Sequence, residues 1–280
     1  MKKYELTSET LRYKIYTLHR IKALKDFGSI KAGELGGWIK KEGNLSQDGN
    51  AWVHDNAKVY GDAKVYGNAE IFGDAMVCDK VEIFDNAKVY GKVKVFSNAK
   101  VYGDAELCDN AQVCDNVEVC DNAQVYDNAM IYGDSHVYGN AKIYGDAFVY
   151  GNTHVYRNAK IYNDASVYGN ACVHDYAEIY NDVKVFGNAE ICGCAKVCNN
   201  ADYIVFKNFW SSGRYFTWTR SNNMWSVGCF YGTGDELIKK AYADSEKSGR
   251  EYERVVRYVE SILADEKKKV LTILQRIKNK

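Results

Sequence analysis

The sequence predicts a mainly β protein whose middle winds into a three-sided parallel β-helix, a hexapeptide solenoid, between an N-terminal β cap and a C-terminal α+β unit. Three observations predict it. Residues 50–199 are an unbroken array of 25 hexapeptides, as in Asn56-Ala57-Lys58-Val59-Tyr60-Gly61 followed by Asp62-Ala63-Lys64-Val65-Tyr66-Gly67. The fourth place is Val, Ile or Leu in every unit, and the second is Ala in 19, Val in four, and Ser135 and Thr153 in the remaining two. The sixth and first places are mostly Gly, Asp and Asn, residues that tolerate the positive φ of a sharp turn.

Residues 1–49 are expected to cover the first coil, because an open stack of coils exposes strand edges and core. Segments 4–6, 14–18 and 19–24 read as short strands, and 32–39 as a turn that brings Trp38 onto the core as a lid. Within the array of residues 50–199, places two and four alternate with three and five, which is strand periodicity. The small residue and the aliphatic therefore point inward. Lys and Glu point outward, together with the fifth-place residue: Tyr in 13 units, Cys in six, Phe in four and His in two. Three units close one coil of 18 residues, giving about eight coils stacked at the strand spacing of about 4.8 Å.

Residues 200–280 read as a separate α+β unit of β-hairpins plus two helices. Segments 202–207, 215–220 and 224–231 alternate as strands, with a turn at Ser221-Asn222-Asn223. Thr233 is placed to cap a helix over 234–246, with Asp235 and Glu236 in its first turn, and Ser248-Gly249 is expected to end it. A second helix runs from about Glu251 to the end. Its Val256, Val259, Leu263, Val270, Ile273 and Ile277 keep a three-four spacing, with Glu266 as the one fault. Such a stripe buries against the sheet, the solenoid or another subunit.

Lys and Arg total 37 and Asp and Glu total 37, which excludes nucleic-acid binding through bulk positive charge. The array holds 12 basic and 21 acidic residues, so an acidic middle lies between basic flanks. That arrangement eases head-to-tail contacts or an anionic ligand at an end. An apolar content of 46% excludes a wholly disordered chain, and no run of 18 apolar residues predicts a membrane span. The opening residues lead into no apolar segment, so no export signal is expected. The nine cysteines are accordingly expected as reduced thiols in the cytoplasm.

The string Val-Tyr-Gly-Asn-Ala-Lys resembles the hexapeptide motif of left-handed parallel β-helix proteins, an aliphatic residue followed by a small one four places later. One departure is the Tyr, Phe or Cys after the aliphatic, where those motifs carry Gly, Ala, Glu or Asp; it adds aromatic columns outside. Ala-Gly-Glu-Leu-Gly-Gly-Trp-Ile (32–39) and Gly-Cys-Phe-Tyr-Gly-Thr (228–233) are similar to segments of bacterial and phage hexapeptide proteins of unsettled function, often labelled acyltransferases from the fold alone. The resemblance implies a left-handed coil, self-association that is often trimeric, and, from its phage-borne members, a role in host–phage conflict. For the acyltransferases it implies acetyl-CoA as co-substrate and a His base in a cleft between subunits. His136 and His154 are the candidates for that base. The loop that walls the acyl-CoA cleft has no counterpart here, since no coil is interrupted.

The 18-residue rule then sorts the metal ligands. Cys108, Cys114 and Cys120 are six apart and fall on three different sides of one coil, too far apart to share an ion. His136, His154, Cys172 and Glu190 form one outward column, and Tyr138, Tyr156, His174 and Cys192 the next. His154, Cys172, His174 and Cys192 are therefore the candidate zinc ligands, against the reading that these are variants of a permissive exposed place. In the C-terminal unit, Ser211, Ser212, Gly213 and Arg214 form a polar turn suited to a phosphate, with Arg220 nearby. Trp210, Trp218 and Trp225 are candidates to stack a base, or else they pack beneath the helices. These residues favour a non-catalytic scaffold binding a small anionic, nucleotide-like ligand or a protein partner. The other readings are an acyl-CoA-dependent acyltransferase and a structural part of a particle or filament.

Overall fold

The computed structural model describes residues 1–278, and the chain divides into two compact units, Met1–Asn200 and Ala201–Lys280. The first is a parallel β-solenoid. Each hexapeptide supplies a short strand from its third and fourth places, such as Lys58–Val59 and Lys64–Val65. Strands 18 residues apart pair in parallel and in register, as in Lys64↔Glu82, Lys100↔Glu118 and His136↔His154. The strands thus sort into three sheets, one for each side of the coil. Places two and four line the interior: Ala57, Val59, Ala111, Val113, Ala171 and Val173 are fully buried.

The corners explain the polar places. Every sixth residue from Gly49 to Gly193 has positive φ, whether Gly, Asp, Asn, Ser97 or Arg157. A corner Asp also ties two coils together. Asp85 accepts from the Gly103 N–H at 3.3 Å, and Asp121 from that of Gly139 at 3.0 Å. The first-place amides form ladders, Asn50 donating to Asn68 and Asn68 to Asn86 at 3.0 Å, then Asn86 to Asp104 at 2.9 Å. An acceptor-only Asp ends the column, where an amide would need another acceptor.

The 25 perfect repeats make eight full turns and one strand over, which is why one sheet has nine strands, all from the array. The N-terminal flank brings the other two sides to nine. Ile39 pairs with Val59 and Leu45 bridges Val65, twenty residues apart instead of 18. Two surplus residues between Leu45 and Val53 hide this extension from a six-residue count. Three carbonyl groups of this longer stretch converge on the buried ammonium of Lys3. It donates to the Ala51 carbonyl at 3.0 Å and approaches those of Asp48 and Gly49 at 3.4 and 3.5 Å. Burial lowers the Lys3 pKa to about 8.

The short strands expected in the cap are one long hairpin, β1 (Tyr4–Tyr13) and β2 (Tyr16–Ala23), paired antiparallel. Strand β3 (Leu35–Ile39) joins β2 antiparallel and Lys58–Val59 parallel. Trp38 is not the lid on the core. Its register partner is Lys58, an outward place, and it lies beneath the Arg20 guanidinium. The inward residue is Ile39, and the fully buried tryptophan of the first coils is Trp52, against Tyr4 and Phe27.

The outward aromatics stack on one another along the coils. Tyr66, Phe84 and Tyr102 lie 4.9 Å apart with planes within 2°. Tyr126, Tyr144, Tyr162 and Tyr180 continue at 4.8 to 5.1 Å on another side. The strand spacing sets this distance. Within each stack, neighbouring ring faces cover each other.

In the second unit, β4 (Tyr203–Lys207), β5 (Tyr215–Thr219), β6 (Met224–Val227) and β7 (Phe230–Gly232) form an antiparallel sheet in chain order. The single strand expected at 224–231 is a hairpin that turns at Gly228, φ 58°. Helix α1 (Gly234–Asp244) starts at Thr233 with a reciprocal cap: the Thr233 hydroxyl accepts the Glu236 N–H, and the Glu236 carboxylate accepts the Thr233 N–H at 2.8 Å. Helix α2 (Glu246–Lys278) begins after Ser245, so Ser248-Gly249 does not break the chain as expected. Gly249 sits inside the first turns of α2, where the Tyr242 ring lies so close that a Cβ would meet it at 2.2 Å. The apolar stripe of α2 divides in two. Val256 and Val259 bury against Phe216, Trp225 and Leu237, with Leu263 half-covered. Val270, Ile273 and Ile277 are 55%, 55% and 64% exposed.

Candidate functional site

The turn 211–214 is closed by its own side chains. Asn208 Oδ1 accepts the N–H groups of Trp210 and Ser211 at 3.0 and 3.1 Å, and its Nδ2 donates to Ser211 Oγ at 2.8 Å. The Ser212 hydroxyl accepts the Arg214 N–H at 3.3 Å, and Gly213 supplies the positive φ. The Ser211 and Arg214 N–H groups expected to face a phosphate are therefore already used.

The rest of the predicted set is dispersed. Trp218 and Trp225 are each 2% exposed in the core beneath the helices, so neither presents a face for stacking. Trp218 Nε1 donates to Asn223 at 3.0 Å. Arg220 bonds Glu266 of α2 at 2.9 Å, which also accounts for the one charged residue in the α2 stripe. Arg214 lies against Gly228 and lines a small cleft with Lys240 and Asp244 of α1.

A different groove brings aromatic and basic groups together. Phe206, Lys207, Asn208, Trp210, Glu251, Arg254, Val255 and Tyr258 enclose about 380 Å³. Trp210 is 69% exposed beside Phe209, and the Lys207 ammonium lies 5.1 Å from the Phe209 ring centre and 4.9 Å from that of Tyr215. The signal for this groove was the pair Phe209-Trp210 next to a polar turn, with Arg254 and Tyr258 one helical turn apart. Sequence reading attached Trp210 to the wrong neighbours because the helix partner is more than forty residues away.

A further shelf of about 500 Å³ lies along α2, lined by Arg220, Leu263, Glu266, Lys267, Val270 and Leu271. It continues into the exposed apolar residues of that helix.

On the solenoid, His136 and His154 stack at 5.0 Å, and His136 Nδ1 lies 3.6 Å from Glu118. Burial, then the neighbouring His136, lowers the His154 pKa. Both lie on an open sheet face, and neither lines a cavity described above. The predicted column of His136, His154, Cys172 and Glu190 is present in register. So is that of Tyr138, Tyr156 and His174, whose rings stack at 4.9 and 4.7 Å. The four candidate zinc ligands are not gathered as expected. Among the described residues, the ligand atoms that lie within 4.8 Å of one another are those of His174, Asp175 and Cys192. His154 and Cys172 point from the neighbouring column and stay outside that group. Cys108, Cys114 and Cys120 follow strands of three different sheets, as expected.

With this geometry in place, the comparisons are brief. Residues 123–140 and 141–157 match the family model YdcK beta solenoid repeat. The matched stretch holds two coils, including the stacked His136 and His154 and the Tyr126–Tyr144 pair. It is similar to the YdcK repeat in its solenoid alone, and the match leaves the C-terminal unit uncovered. No curated protein matches the chain. Among the described residues, no helix is long and apolar enough to cross a membrane.

Proposed function

We propose that the protein is a non-catalytic scaffold in which a rigid solenoid is joined to other copies of the chain through the far half of α2. The observation that carries this reading is the stripe Val256, Val259, Leu263, Glu266, Val270, Ile273 and Ile277. Its alternating three-four spacing is that of a coiled-coil seam. The first part of the seam is buried within its own unit, and the rest is exposed. Leu271 and Leu274 widen the apolar surface, at 59% and 50% exposure. A second copy offering the same seam is the complementary partner, since the apolar positions then meet in register. Sedimentation equilibrium tests this. The full chain is expected at a multiple of 31.7 kDa, and the double variant Val270→Glu/Ile277→Glu near that single mass. A full chain of single mass at every concentration contradicts the proposal.

A second reading, binding of a small anionic ligand with an aromatic ring, is supported by the groove at Trp210. Lys207 and Arg254 supply charge there, and Trp210 and Tyr258 supply ring faces. A nucleotide is then expected to raise the melting temperature of the wild type but not of Trp210→Ala or Arg254→Ala, while Arg214→Ala responds normally. An acyl-CoA-dependent transferase has less support, because His154 has no enclosing wall. Acetyl-CoA turnover lost in His154→Ala would favour it.

A further inference from the structure

We infer that His174, Asp175 and Cys192 form a zinc-binding site at a corner of the solenoid, independent of the α2 seam. The three residues offer one nitrogen, one oxygen and one sulfur, all within 4.8 Å of one another. Zinc favours this donor set, with bonds of roughly 2.0 to 2.3 Å and ligand atoms therefore roughly 3.3 to 3.8 Å apart. Small side-chain rotations close the difference, and water fills the fourth position. His174 and Cys192 are buried, and Asp175 is partly open to solvent, which leaves a way in.

The imidazole is set up as a ligand. Its Nε2 lies 3.3 Å from Glu190 Oε1, the carboxylate partner that typically orients a metal-bound histidine. With the proton on Nε2, the lone pair of Nδ1 faces the site. Nδ1 is buried and has no hydrogen-bond partner, although Asp175 Oδ2 is only 3.2 Å away. With a single ring proton on Nε2, Nδ1 and Asp175 Oδ2 are two acceptors placed side by side. A cation between them, a metal ion or a second ring proton, removes the conflict, and the zinc titration distinguishes the two. Asp175 is fixed from its other side by the Arg157 guanidinium and accepts the Gly193 N–H at 3.2 Å. The Tyr156 ring stacked on His174 fixes its plane. A zinc ion with Arg157 balances the negative charges of Asp175, Glu190 and a Cys192 thiolate.

The test is zinc titration of the full chain against a chromophoric chelator, with cobalt(II) as a spectroscopic probe. One tight equivalent of zinc per chain is expected. Cobalt should give a thiolate charge-transfer band that Cys192→Ser removes. His174→Ala should abolish tight binding, and Glu190→Gln should weaken it about 10- to 100-fold. The exposed Cys194 serves as control, and Cys194→Ser should bind as the wild type does. No tight equivalent in the wild type overturns the proposal. So does binding that survives both His174→Ala and Cys192→Ser, or that is lost in Cys194→Ser while circular dichroism shows each variant folded.

Discussion

Ser135 and Thr153 occupy the inward second place where most units carry Ala, and both are fully buried. They lie 18 residues apart and satisfy each other. Thr153 Oγ1 donates to Ser135 Oγ at 2.8 Å, and Ser135 donates to the Tyr132 carbonyl at 2.8 Å. Ser135→Ala should cost about 1–3 kcal/mol in chemical denaturation, because the Thr153 hydroxyl loses its acceptor, while Ser135→Ala/Thr153→Val should recover most of that loss. The thiols make a second prediction. Burial pushes Cys108 and Cys172 up to about 11 and Cys114 to about 12, from an ordinary 9.0. Unfolded chains give up these protons first, so their contribution to stability is intact below pH 9 and is lost as the pH rises toward 11 or 12. Burial raises Tyr126 to about 12, which acts in the same direction. The denaturation midpoint should fall between pH 9 and 11, less steeply in Cys114→Ala. At neutral pH a thiol reagent should modify the exposed Cys194 and Cys229 quickly and the buried thiols only after unfolding. The inward places were legible in the sequence because only six residues separate equivalent positions. The proposed His174 site was half legible: the 18-residue rule brought in His174 and Cys192 but omitted Asp175, because a corner residue was assigned to turning the chain alone.

The strands of the solenoid are stabilised chiefly across coils. Lys64 meets Glu82 at 3.3 Å and Lys100 meets Glu118 at 3.2 Å, so charges alternate down one side. Each exposed pair contributes little, but alternation avoids the like-charge stacking that an in-register parallel sheet would otherwise impose. In the second unit the two helices are fitted to each other through Gly249. Gly249→Ala should cost about 1–3 kcal/mol through overpacking against Tyr242, read as a lower melting temperature of that unit with the solenoid transition unchanged. Its contact explains why a Gly expected to end a helix lies inside one. Local propensity marked a break, and the true break at Ser245 lies three residues earlier. The hairpin at Gly228 is local, pairing Val227 with Phe230, and was missed because its turn was read as the middle of one strand. The offset turn at Leu45 was hidden because its partner Val65 lies 20 residues on, outside the fixed interval at which the hexapeptide strands repeat.

In the first unit, nine turns, with the one two-residue insertion before Val53, make a surface of short edges, stacked rings and, down one side, alternating charges, with corners tied. The proposed scaffold would use such a body to hold other parts at fixed separation. Two surfaces of the C-terminal unit differ from this pattern, the Trp210 groove and the apolar half of α2. The sequence placed function in that unit through Trp218 and Trp225, which the core claims instead. The α2 stripe was legible in full, because its spacing is local, but not the point at which burial ends. Native mass spectrometry of the intact chain is the most direct measurement of the central claim. It is predicted to show an oligomer that Val270→Glu/Ile277→Glu converts to single chains. A wild-type chain that flies alone across the concentration range, or a double variant that keeps the same subunit number, would contradict the account.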